Sequence, residues 1–161
     1  MKKGSIMDIV GAVLMVFFFS TCAILGWFVL DQVENSAGYV SAGGNVTYLQ
    51  QAKTATEVWD WGIIFILFGS MLFALITAYM IDTHPALFVF ALIMFMICLV
   101  ITMVVSNAFY QFYNTAELAT ASGAFPMMVY VMNHLVEIMM IYGFVLLIVI
   151  YAKLKGAVGS I

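Results

Sequence analysis

Four uninterrupted apolar runs, each about as long as a bilayer-crossing helix, constrain this chain more than any other feature. "IVGAVLMVFFFSTCAILGWFVL" fills positions 9–30 between Asp8 and Asp31, and "WGIIFILFGSMLFALITAYMI" fills 61–81. "PALFVFALIMFMICLVITMVV" opens a third run over about 85–106, and a fourth lies at about 127–153, between Pro126 and Lys155. A helix rises ~1.5 Å per residue and the hydrocarbon core is ~30 Å thick, so about twenty apolar residues suffice to cross it. The runs are continuous rather than alternating, and a helix satisfies its own backbone hydrogen bonds where no water is present. The expected fold is an all-α membrane protein, one membrane domain over 1–161 with four transmembrane helices.

Composition supports that choice of solvent. Of 161 residues, 66% are hydrophobic and 8% charged, with a mean hydropathy of +1.15. Soluble domains run at roughly half apolar and a quarter charged. The five cations are all lysine and the net charge is -3, which provides no nucleic-acid footprint. Cys22 and Cys98 lie deep in apolar runs and form neither a disulfide framework nor a metal cluster. The start "MKKGS" resembles a secretory leader, but the apolar run after it exceeds a signal core and lacks an A-x-A-like cleavage site, so the first helix is expected to stay as a span.

Lysine placement predicts orientation. An even number of spans puts both termini on one side, where Lys2, Lys3, Lys153 and Lys155 gather against Lys53 alone on the other. The positive-inside rule then places both termini inside. Asp31, Glu34, Glu57, Asp60 and Glu117 fall on the outer face; Asp8 and Asp82 lie at the inner boundary as helix-start carboxylates, with His84 held extended before Pro85.

The connections read differently from one another. Residues 31–60 form a polar outer loop with a short helix expected around Tyr48–Val58 and a glycosylation-type triplet at Asn45. "DTHP" is so short that spans two and three should form an antiparallel helical hairpin. Trp59 and Trp61 are expected at the outer boundary, as are Phe109, Tyr110, Phe112 and Tyr113. Within the interfacial segment 107–125, Asn114 and Glu117 have capping-box spacing for a short surface helix.

Within "VMNHLVEIMM", Asn133, His134 and Glu137 interrupt the fourth run. Glu137 lies sixteen residues before Lys153, about 24 Å along a helix, which puts it just inside the outer edge of the apolar slab. His134 and Glu137 are three apart and share a face, so a direct pair explains them structurally. The functional alternative is an intramembrane proton or cation site with Glu137 titrating and His134 relaying. Ser20 and Thr21 read as small residues bonding back to their own helix or across to a neighbour, and the thirteen methionines as adaptable packing. No catalytic, cofactor or metal constellation is legible.

Strings such as "KKGSIMDIVGAVLMVFFF", "WDWGIIFILFG", "IDTHPALFVFALIMFMICLVITMVVSNAFYQF" and "FPMMVYVMNHL" resemble small membrane proteins of icosahedral viruses of bacteria and archaea that carry an internal lipid membrane. The resemblance implies a non-enzymatic virion membrane component linking the lipid vesicle to a protein shell, with other membrane or capsid proteins, or further copies, as partners. Two alternatives stand beside it: a channel or proton-coupled subunit using Glu137 and His134, and an accessory subunit of a cellular membrane complex.

Overall fold

The computed structural model describes residues 7–80 and 85–158. They form α1 (Met7–Glu34), α2 (Ala37–Ser41), α3 (Val46–Glu57), α4 (Trp59–Met80), α5 (Pro85–Tyr113), α6 (Ala119–Gly123), α7 (Pro126–Asn133) and α8 (Leu135–Val158). The all-α expectation holds: among the described residues there are no strands, and four helices are long and apolar enough to cross a membrane.

Buried residues follow narrow stripes with steps of three and four residues. They are Val13, Val16, Ser20, Ile24 and Trp27 on α1; Asp60, Ile63, Leu67 and Met71 on α4; and Leu135, Met139, Tyr142, Leu146 and Ile150 on α8. That spacing keeps one face of each helix turned towards its neighbours. The outward faces are equally apolar, with Phe65, Phe73, Ile141 and Ile148 exposed. In water this would be a very large hydrophobic patch, whereas in a bilayer it is the surface that lipid wets. Ser20 and Thr102, both 0% exposed, return their hydroxyls to Val16 O at 2.7 Å and Cys98 O at 2.8 Å, and Thr21 does the same to Phe17 O.

Around the bundle the order is α1, α4, α8, α5, each packing on the next and α5 closing on α1. Asp60 at the start of α4 meets the start of α7, and Lys153 near the end of α8 donates to Tyr79 O near the end of α4 at 2.6 Å, so these elements run parallel. Phe88 faces Tyr151 at 6.2 Å, which makes α5 and α8 antiparallel. This corrects the expected hairpin: α4 and α5 run in opposite directions but sit diagonally, because the buried stripe of α4 faces α1 and α7–α8. Gly143 brings α5 and α8 close, since a Cβ there would overlap the Phe95 ring.

Several boundaries differ from expectation. The 31–60 segment is largely helical: α1 continues to Glu34, and α2 and α3 follow, with α3 close to the helix expected at Tyr48–Val58. The turn between them uses Gly43 at φ +72°, a left-handed conformation natural to glycine. The third span runs on to Tyr113, so the aromatic residues occupy its last turns rather than a separate surface segment. The expected capping box does not form, because Asn114 Nδ2 donates backwards to Tyr110 O at the end of α5, and α6 starts later, with Leu118 as its N-cap. The fourth span is divided at His134 into α7 and α8.

Candidate functional site

At the end of the bundle carrying α2, α3 and α6, here the platform end, the polar side chains converge on α1 and α3. Lys53 Nζ lies 2.6 Å from Asp31 Oδ1 and 2.9 Å from Glu34 Oε2. Gln50 donates to the other Glu34 oxygen at 3.0 Å, and Trp27 Nε1 donates to Glu57 Oε1 at 3.1 Å. Lys53 Nζ also lies 4.3 Å from the centre of the Trp27 ring. The helical spacing of Gln50, Lys53 and Glu57 presents all three to the last turns of α1. One cation thus ties two carboxylates and an indole together. Isolated exposed ion pairs contribute little, but a partly buried network with cation–π support is the favourable exception.

Asp60 supplies a second junction. It is only 5% exposed, and its two carboxylate oxygens accept from Met128 N at 2.7 Å and Met127 N at 3.1 Å. Pro126 opens α7 and Phe125 provides no side-chain cap, so a residue 67 or 68 positions away in sequence caps this helix. A carboxylate there meets free N–H groups and the positive end of the helix dipole. Sequence spacing placed Asp60 only among the outer-face charges. No local signal reveals the cap, because its partners are backbone amides of a distant element.

The expected His134–Glu137 pair is not made. His134 Nδ1 lies 3.0 Å from Tyr130 O, and its ring stacks on Tyr130 at 4.3 Å between centroids. Glu137 is exposed and has no hydrogen bond or ion pair among the described residues. The break at His134 reorients that ring towards the preceding turn, which is why three-residue spacing does not produce contact. Asn133 instead donates to Tyr113 Oη at 2.8 Å. Ser106 Oγ donates to Met132 O at 2.8 Å, supporting a carbonyl in the last turn of α7. Met103, Ser106, Asn107, Tyr110, Asn133 and Val136 line an open groove of about 500 Å³ beside this break.

Other expected positions separate. Trp59 and Trp61 are exposed on the first turn of α4, with Trp59 edge-on to Phe19 at 5.2 Å. Tyr110 is exposed, but Phe109 is 0% exposed and Phe112 and Tyr113 are partly covered, so Phe109 is a core residue and not an interfacial anchor. Its ring lies 5.4 Å from that of Tyr113. Asn45 caps α3 by accepting from Thr47 N at 3.0 Å. Glu117 and Lys155 are exposed. Lys2, Lys3, Asp82 and His84 lie outside the described residues, as does the side chain of Asp8. Cys22 and Cys98 are free thiols, and no group of three His, Cys, Asp or Glu side chains suited to a metal occurs among the described residues.

Fold and site together define an all-α integral membrane protein whose four long apolar helices carry a small helical platform at one end. No family model, curated protein or solved structure matches the chain.

Proposed function

We propose that this protein is a non-enzymatic structural component of a membrane, anchored by four spans and presenting its platform outward to a protein shell or to neighbouring membrane proteins. The observation that carries this reading is how the platform's polar groups are used. Asp31, Glu34, Lys53, Glu57 and Asp60 bond one another, Trp27 or a helix terminus. Such groups fix α3 against α1 and the start of α7 against α4, as a docking surface requires. A virion membrane beneath a capsid, as the sequence resemblance implies, is the setting we favour. The lysine distribution supports having both termini on the enclosed side.

The conduction alternative relies on His134 and Glu137, and both face outward from the bundle. Proton flux into vesicles containing the purified protein tests the choice. The structural reading expects flux equal to protein-free vesicles, unchanged by Glu137→Gln, and flux that the substitution abolishes would replace it with the channel reading. Quantifying the chain in lipid-containing particles, before and after detergent stripping, tests the virion setting. Absence from the particles would remove it.

A further inference from the structure

On α7 and α8 the side chains opposite the core form an exposed stripe: Tyr130, His134, Glu137, Ile141, Phe144, Ile148 and Tyr151. Its steps alternate four and three, the spacing of a seam between parallel helices wound in a left-handed supercoil. An apolar stripe alone would be lipid contact. This one carries an acid and a base at adjacent seam positions, neither of them paired with the other.

The chemistry of the two groups is complementary. Tyr130 O is a carbonyl and can only accept, so the 3.0 Å contact puts a proton on His134 Nδ1. In the neutral ring, Nε2 is then the acceptor, and the residue is exposed. Glu137 has no partner among the described residues. Met127 is bonded to Asp60, and Glu137 lies ten residues beyond it, about 15 Å of chain at helical rise across the break at His134, which puts it just inside the outer edge of the apolar belt. An unpaired carboxyl there is costly, and polar side chains at such depths join helices together.

We propose that two copies of this chain associate through the α7–α8 seam about a twofold axis parallel to the bilayer normal, with Glu137 of each copy hydrogen-bonded to His134 of the other. A twofold keeps equivalent residues at equal depth and makes the contact self-complementary. In a parallel seam each side chain enters a hole formed by four residues of its neighbour, the adjacent seam position among them, which brings His134 of one copy within reach of Glu137 of the other. Each copy offers one acid and one base, so two identical bonds close the dimer. This inference rests on the membrane-spanning reading but not on shell docking.

The test uses the full chain in lipid nanodiscs or vesicles, with insertion checked on the same samples by resistance to alkaline extraction. In a Cys22→Ser, Cys98→Ala background, Ile141→Cys or Phe144→Cys should give oxidative dimers, whereas Ile76→Cys, on the exposed side of α4, should not. His134→Ala and Glu137→Ala chains should each dimerise less well, by roughly 3- to 15-fold per lost bond. Mixed together, they should form heterodimers above the statistical yield, because only the mixed pair retains one Glu137–His134 bond. Inserted protein that is monomeric, cross-links equally at Ile76→Cys, or shows no heterodimer enrichment would overturn the dimer. Extraction by alkali would instead overturn the membrane reading.

Discussion

Asp60 shows how far one side chain can act from its own position. It lies on the first turn of α4, yet both oxygens are occupied by amides at the start of α7. Asp60→Ala is expected to destabilise the fold by about 1–3 kcal/mol, because two first-turn N–H groups lose a charged acceptor in a buried place. Asp60→Asn, which retains only one acceptor oxygen, should fall between the two in thermal unfolding followed by helical circular dichroism. Tyr142 makes the opposite case: its hydroxyl is buried without a hydrogen-bond partner among the described residues. Tyr142→Phe is therefore expected to leave stability unchanged or to raise it by up to about 1 kcal/mol in the same assay. Neither residue announces its role in the sequence. An aspartate beside two tryptophans reads as a boundary charge, and a tyrosine in an apolar run reads as a hydrophobe.

At the scale of elements, two contacts decide how the helices meet. Gly143 on α8 leaves room for the Phe95 ring of α5, which also lies 6.2 Å from Phe144. Gly143→Ala should cost about 1–3 kcal/mol by overpacking, and Phe95→Leu in the same chain should recover part of it. If the single substitution is neutral, the ring moves aside freely and the close approach is not what sets the α5–α8 spacing. At the platform, Lys53→Met removes the cation that joins α3 to Asp31 and Glu34. Proteolysis should then cut within the connection between α2 and α3 faster than in the unaltered protein, while the membrane helices stay intact. The existence of the long helices was legible here from apolar length, and α3 lies close to the short helix expected at Tyr48–Val58. The division at His134 was not, because no proline or glycine marks it.

Over the whole molecule, the diagonal placement of α4 and α5 matters most. A four-residue connection suggests neighbours, since short links usually join elements that pack together. The structure instead places α1 and α8 on either side of α4, and buries its stripe between them. Lys153 holding Tyr79 O fixes the far end of the same α4–α8 contact. Vesicle insertion followed by thiol labelling from each side tests the sidedness implied by the lysines. Cysteines placed at Thr47 and at Lys155 should label from opposite faces, and labelling from one face would refute the three crossings, α4, α5 and α8, between them.

The sequence by itself determined the solvent, the helical class and the number of membrane-length segments. Those properties depend on local composition and length: twenty apolar residues in a row have one economical backbone solution in lipid. Only the tertiary structure decided which helices are neighbours, which carboxylate caps which helix, and that His134 and Glu137 do not pair. Each of these depends on contacts between positions tens of residues apart, or on a local break whose direction is set by packing. Because apolar side chains face lipid and core alike, hydrophobic pattern could not distinguish the buried stripe from the exposed one.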